Sequence, residues 1–314
     1  MAILITGATG FVGGHLVEHL LAAGETAITG TNRSGRWPDA LSPHATRCRL
    51  IACDLSHPAA AVELLRAVAP TQIFHLAGYA NNGKSFREPD VAWQQNVFVT
   101  QNLFEAAARV VPHARIVFVS TGLIYGEPET DEAFSELSLL KPASPYAASK
   151  AAADLMAYQY TKSHDLAIVR ARPFNHFGPR QSAEYALPNF ARQIAAAVPV
   201  METGDLTAKR DLTDVRDIVR GYRRLMANGR SGEAYNLGRG DVHGMDDMVA
   251  MLVARAGTAI RVVQKPSARR GDPAVTRCDA GKIARELGWR PEIAMDQSLD
   301  DLLESWKTPR STAP

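Results

Sequence analysis

Tyr146 and Lys150 stand four residues apart in "SPYAASK". At the start of an amphipathic helix that spacing puts both side chains on one face. An ammonium beside a phenol favours phenolate and lowers the tyrosine pKa. Such a tyrosine can give or take a proton near neutral pH. By itself the pair also fits an ordinary surface contact. What raises its weight is "STGLIYG", which ends an apolar strand and offers Thr121 as a hydrogen-bonding partner for the same substrate oxygen. In an open α/β sheet, ligands bind at that carboxyl edge.

A second set lies near the N-terminus, where "TGATGFVGG" follows an apolar run and leads into "HLVEHLLAAG". Gly7, Gly10 and Gly13 make a G-x-x-G-x-x-G spacing. Unpaired N–H groups and the helix dipole at such a turn attract phosphate. Absent side chains let a pyrophosphate rest on the backbone and let the helix pack close to the sheet. A plain tight turn could use the same glycines, but the order strand, turn, helix at the head of an alternating array favours a dinucleotide. After the second strand, "GTNRSGR" has no carboxylate before Asp39 to accept from an adenosine ribose. Arg33, with Arg36 as a second candidate, can instead pair with a 2′-phosphate. NADP(H) is therefore favoured over NAD(H); the alternative is that Arg33 is a solvated loop cation.

The elements that must hold these groups are legible as a rhythm. Strand candidates at 2–6, 26–31, 49–54, 72–77, 115–121 and 166–172 alternate with amphipathic stretches near 11–23, 58–69, 90–110 and 145–163. Continuous apolar strands separated by helices mean β-α-β units and a parallel sheet covered on both faces. Beyond "RPFNHFGPRQ" the rhythm gives way to helices near 187–198, 215–228, 245–255 and 296–306, with short strands near 233–237 and 260–264. The expectation is an α/β protein: a Rossmann-type doubly wound sheet over 1–172, and a smaller mixed α/β lobe over 173–314. A segment near 211–237 is expected to return to the first domain. Only the last residues, "TPRSTAP", look frayed.

Composition narrows the class. The 314 residues are 46% hydrophobic and 22% charged, with a net charge of +2, so no basic field points to nucleic acid or an anionic membrane. Cys48, Cys53 and Cys278 form no zinc or disulfide pattern and suit a cytoplasmic protein. "MAILITG" reads as a strand rather than a signal peptide, and no apolar stretch is long enough to span a membrane.

With "TGATGFVGGHL", "CDL", "HLAG", "STGLIYG", "SPYAASK", "RPFNHFGP" and "RDLTDVRD", the sequence resembles the extended short-chain dehydrogenases/reductases that act on nucleotide sugars. The resemblance covers nearly the whole chain. It implies Thr121, rather than Ser120, as the catalytic hydroxyl, Tyr146 as acid/base, and Lys150 as the group holding Tyr146 and the nicotinamide ribose. For the cofactor it implies Gly7, Thr9, Gly10, Phe11, Val12 and Gly13 at the first turn, with Asn32 and Arg33 after the second strand. Asp54, Leu55, Leu76, Ala77, Gly78 and Pro173 follow along the strand ends, and Asn96 supports the tyrosine–lysine pair. For the sugar nucleotide it implies Ser85, Thr121, Asn175, Leu187, Arg210, Arg269 and Asp272. No metal is implied. Relatives also pair the 90–110 and 145–163 helices across a homodimer as a four-helix bundle.

Within that family, "RPFNHFGPRQS" and "KRDLTDVRDIVRGY" look most like the GDP-4-keto-6-deoxy-mannose reductases and related 4,6-dehydratases. A dehydratase keeps proton-transfer groups just after the catalytic threonine, where this chain has Gly122 and Leu123. The expectation is therefore NADPH-dependent reduction of an NDP-4-keto-6-deoxyhexose, with GDP-4-keto-6-deoxy-mannose favoured. Nucleotide-sugar 4-epimerisation is the alternative and a non-catalytic dinucleotide sensor the more distant one. His75 and His176 read as structural histidines, and Trp37 as either a ligand-stacking or a surface-covering residue.

Overall fold

The computed structural model describes residues 1–257, 259–265 and 271–307, so Arg269 and the "TPRSTAP" end lie outside the described residues. The first half runs β1 (Ile3–Thr6), α1 (Phe11–Ala22), β2 (Ile28–Asn32), β3 (Arg49–Ala52), α2 (Pro58–Val68), β4 (Gln72–His75), α3 (Pro89–Trp93), α4 (Val99–Val110), β5 (Arg115–Val119), α5 (Pro145–Ser163) and β6 (Ala167–Pro173). The second half runs β7 (His176–Phe177), α6 (Ala186–Ala195), β8 (Val200–Thr203), β9 (Lys209–Asp211), β10 (Thr213–Asp214), α7 (Val215–Asn228), β11 (Ala234–Leu237), β12 (Val242–Gly244), α8 (Met245–Ala256), β13 (Arg261–Gln264), β14 (Val275–Thr276), α9 (Gly281–Leu287) and α10 (Met295–Lys307).

Seven strands form one parallel sheet in the order β11-β6-β5-β4-β1-β2-β3. This is the Rossmann-type α/β arrangement. Alternation explains why its strands are apolar throughout: Ile3 and Ile5 pack with α1 and α7, whereas Leu4 packs with α2 and α4. Each strand thus meets a helical layer on both faces, which a parallel sheet requires. The chain returns to the sheet through α7 and β11, and β11 pairs with β6 in register Ala234↔Arg170. A separate core unites α6, α8 and α10 around Phe190, Leu252, Leu299 and Leu302.

Two local departures matter. The expected single helix over 90–110 contains a π-helical turn at Gln94–Phe98, which carries Asn96. Pattern reading over 173–314 also omits β7, β8, β9, β10, β12, β14 and α9. These are two to four residues long, or seven for α9, too short to display a period.

Candidate active site

Strand order reverses beside β1, which has β2 on one side and β4 on the other. A cleft of about 1020 Å³ opens along the strand ends and extends under α6. Crevices at such a switch point are where open α/β sheets hold ligands.

The half of the cleft expected to take the cofactor is made largely of backbone. Gly7 has φ +71°, and a Cβ there would lie 3.0 Å from the Ala77 nitrogen. A Cβ on Gly13 would fall 2.1 Å from the Gly7 carbonyl oxygen, so α1 can sit this close to the turn only with glycine present. Gly10 caps α1 without a side-chain hydrogen bond, and no acidic residue occupies the first turn. Phe11, Val12 and Gly13 line the cleft there. An uncapped helix start walled by glycine fits a dinucleotide pyrophosphate.

Arg33, Asp54, Leu55, Leu76, Ala77, Gly78 and Pro173 also line the cleft. Asn32 lines it too, and its amide shapes the loop after β2: Nδ2 donates to Thr9 Oγ1 (3.0 Å) and the Arg36 carbonyl (2.9 Å), and Oδ1 accepts from the Gly35 N–H (2.6 Å). Thr9 and Arg36 do not line the cleft. Hydrogen bonding from Ser56 holds the Asp54 carboxyl below its ordinary range. Trp37 takes the covering role, packed on the core and edge-on to His44.

Thr121, Tyr146 and Lys150 converge at the middle of the cleft. Ser144 caps α5 by accepting from the Ala147 N–H, and Pro145 takes the first helical position, so the helix begins one residue before Tyr146. Lys150 Nζ donates to the Val119 carbonyl at 2.9 Å. The expected lowering of the tyrosine pKa is not what the protein shows. Burial pushes the Tyr146 phenol up, and the Thr121 hydrogen bond only partly offsets it. Burial also pulls Lys150 down to about 8, against the opposing charge of Asp154. Desolvation outweighs the pairing that spacing alone suggested. Lys150 remains mainly an ammonium at neutral pH and loses its charge as pH rises through about 8.

Asn96 is buried at the π-turn, where Oδ1 accepts from the Tyr79 N–H (2.9 Å) and Nδ2 donates to Ser149 Oγ (2.9 Å). Ser149 in turn donates to the Tyr146 carbonyl at 2.8 Å. Asn96 thereby ties the β4 loop to the turn of α5 that carries Tyr146. His75 is a structural histidine: it bonds Thr6 and Thr100, and burial and Lys150 pull its pKa down to about 3. His176 accepts a similar role, bonded to the Phe174 carbonyl and stacked on Phe11, although it also lines the cleft.

The half expected to take the sugar nucleotide depends on side chains from distant segments. Arg210 is buried, donating to Asp272 Oδ2 (2.6 Å) and to the Lys209 and Ala274 carbonyls. Its neighbour Asp211 accepts backbone N–H bonds from Arg239, Gly240 and Cys278, which pins β9 in place. Asn175 and Leu187 line the cleft, and Asn175 Oδ1 accepts from Thr276. Ser85 does not line it: fully buried, its hydroxyl donates to the Asn82 carbonyl.

Several cleft residues escaped sequence reasoning. Phe174 lies between two residues that had been singled out, Pro173 and Asn175, yet its apolar side chain carried no chemical signal. Tyr79, Asn81, Glu184 and Tyr185 come from two loops that meet over the cleft. Tyr185 donates to the Ala80 carbonyl (3.2 Å), and Lys84 pairs with Glu184 across 100 positions of chain. No local spacing could have revealed that closure.

The family model for GDP-mannose 4,6 dehydratase matches residues 4–302. A GDP-6-deoxy-D-mannose reductase of Pseudomonas aeruginosa is 31% identical over 98% of this chain and 97% of its own. A dTDP-glucose 4,6-dehydratase of Streptomyces griseus is 33% identical over 95% and 91%. Among solved structures, RMD from Pseudomonas aeruginosa complexed with NADPH superposes with a TM-score of 0.85 at 30% identity, covering 98% of this chain and 99% of that one. A Thermus thermophilus UDP-glucose 4-epimerase complexed with NAD gives 0.89 at 28% identity with the same coverage. The chain belongs to the GDP-mannose 4,6-dehydratase family of extended short-chain dehydrogenases/reductases, an NAD(P)-dependent group acting on nucleotide sugars.

Proposed function

We propose that this family member reduces an NDP-4-keto-6-deoxyhexose with NADPH, GDP-4-keto-6-deoxy-mannose being the favoured substrate. The observation that carries the reading is the convergence of Thr121, Tyr146 and Lys150 in the cleft, followed by Gly122 and Leu123 on the same wall. Neither of those two can transfer a proton, so removal of water from the sugar lacks its acid and base. The full-length likeness to the Pseudomonas reductase supports the substrate.

A bound nicotinamide cofactor would supply hydride to C4 of the sugar. Gly7, Gly10 and the start of α1 would hold its pyrophosphate, and the Lys150 ammonium would orient its ribose. Tyr146 donates a proton to the C4 oxygen. Thr121 hydrogen-bonds that oxygen as negative charge develops, when a preorganised donor lowers the barrier most. Burial raises the Tyr146 pKa, which favours the protonated phenol that a proton donor requires. Arg33, exposed on the cleft wall, pairs with the 2′-phosphate and favours NADPH. Arg210 and Asp272 grip the nucleotide diphosphate and its ribose.

A homodimer in the cytoplasm belongs to the same reading. Val91, Trp93 and Phe98 at the α3 end and Leu155 and Tyr158 on α5 are large apolar side chains exposed on the helices expected to form a four-helix bundle. No helix among the described residues is long and apolar enough to cross a membrane.

The same Gly122 and Leu123 support 4-epimerisation as the second reading, since an epimerase likewise needs no proton-transfer group there. The backbone match of 0.89 to the Thermus epimerase is equalled by a dTDP-glucose 4,6-dehydratase and does not separate the activities. Nicotinamide absorbance followed beside chromatography of the sugar separates them. The reductase reading expects one NADPH oxidised per GDP-4-keto-6-deoxy-mannose and GDP-mannose left unconsumed. Sugar interconversion without net NADPH loss would instead establish the epimerase, and loss of water from GDP-mannose would overturn both.

A further inference from the structure

A Cβ built on Gly122 would lie 2.8–2.9 Å from ring atoms of Phe174. Real carbon neighbours do not approach that closely, so the Phe174 ring occupies the space that any side chain at position 122 would need. That ring is 4% exposed and stacked on Tyr125, which leaves it little room to turn aside. Leu123, next in the chain, is tied to the catalytic hydroxyl by its own N–H, which donates to Thr121 Oγ1 at 3.2 Å. Gly122, Leu123 and Phe174 all line the cleft. The wall beside Thr121 therefore presents only carbon through its side chains, and Phe174 enforces this at position 122.

We infer that the Gly122–Leu123–Phe174 wall is the specificity determinant for the sugar's C6 substituent, seating a methyl group and disfavouring a hydroxymethyl. The inference rests on the reading of the chain as a reductase of a 6-deoxy nucleotide sugar. Thr121 and Tyr146 fix the C4 oxygen, and C6 is two bonds from C4. On the other side of C4, C3 carries a hydroxyl that needs a polar partner, which Asn175 can offer from the same cleft, whereas C5 carries only the ring oxygen and C6. Only the C6 methyl matches a wall without donors or acceptors. A hydroxyl placed there would lose its water and gain no partner. An apolar pocket rejects an added hydroxyl by about 10²-fold at most, so discrimination of about 10- to 100-fold is expected.

The test is calorimetric titration of the NADP-loaded protein with GDP-6-deoxy-D-mannose and with GDP-D-mannose, which differ only in the C6 hydroxyl. The parent should bind the 6-deoxy compound at least tenfold more tightly. Leu123→Gln supplies a hydrogen-bonding partner and should bring the two affinities within about threefold, with affinity for GDP itself unchanged. Should Leu123→Gln lose GDP as well, Phe174→Leu carries the same comparison, because room beside Gly122 lets water reach the hydroxyl and the ratio must again fall. Equal affinities in the parent, or a ratio that survives both substitutions, overturn the inference while leaving the reductase reading intact. Failure of both sugars to improve on GDP alone sinks the underlying reading, and this inference with it.

Discussion

The two halves of the cleft are built from different materials. On the cofactor side the wall is mostly backbone, shaped by Gly7, Gly10 and Gly13 within one turn of chain. On the substrate side it is made by side chains gathered across long distances: Arg210 meets Asp272 over 62 positions, and Asp211 reaches Arg239, Gly240 and Cys278. A local backbone requirement forces glycine at fixed intervals and leaves a spacing that can be read. Side chains that meet only after folding leave no interval at all.

The proposed catalytic group, Thr121, Tyr146 and Lys150, lines the same cleft, and breaking it should give the largest effect. Tyr146→Phe removes the transferable proton and keeps the ring packing of a residue that is 8% exposed. General acid assistance is worth about 10²–10⁴-fold, so turnover should fall in that range while dinucleotide affinity holds. Undiminished turnover in the purified variant would assign the proton to another group.

A paired experiment tests whether the halves are separable. Gly13→Ala puts a methyl group 2.1 Å from the Gly7 oxygen, so α1 must move off the turn. Overpacking of this kind costs about 1–3 kcal/mol in stability, and NADPH affinity should fall by at least tenfold because the phosphate cradle moves with the helix. Asp272→Ala leaves the buried Arg210 guanidinium without its carboxylate, a loss expected to weaken sugar-nucleotide binding by about tenfold. The distinguishing result is the cross term. Fluorescence titration should show Asp272→Ala binding NADPH like the parent, and a loss there equal to that of Gly13→Ala would mean the two halves fold as one unit.

The same contrast explains what was legible beforehand. Six sheet strands and the glycine turn are legible because β-α-β alternation and glycine spacing are local, and the seventh, β11, matches the short strand expected near 233–237. The π-turn under Asn96 is not legible, since the residues 94–98 have ordinary helical composition and the insertion serves a contact to Tyr79 and Ser149 elsewhere in the fold. Ser85, which the resemblance implies for the sugar nucleotide, is buried with its hydroxyl bonded to its own loop, an orientation that no spacing in the sequence shows. Spacing alone brings Tyr146 and Lys150 to one helix face, but it carries no information about how far either group leaves water. Burial reverses the sign for the tyrosine.

The smallest effect expected belongs to Arg33, and it bears on whether any side chain matters on the cofactor side. The residue is exposed, so its attraction to a 2′-phosphate is screened by salt and competes with water. Its neighbour Asn32 is engaged in shaping the loop, and Arg36 stands away from the cleft, which leaves Arg33 as the guanidinium on that stretch of wall. Arg33→Asp exchanges attraction for repulsion and offers a carboxylate that can accept from a free ribose hydroxyl. NADPH affinity should fall by about three- to tenfold, NADH affinity should rise slightly, and the difference should shrink as salt is raised through the range where the Debye length drops below about 8 Å. Titrations of the parent with both dinucleotides at low and high salt provide the check. A parent that binds NADH as tightly as NADPH at low salt would mean that the cofactor half reads its ligand through backbone alone, and that no side chain in "GTNRSGR" chooses between the two.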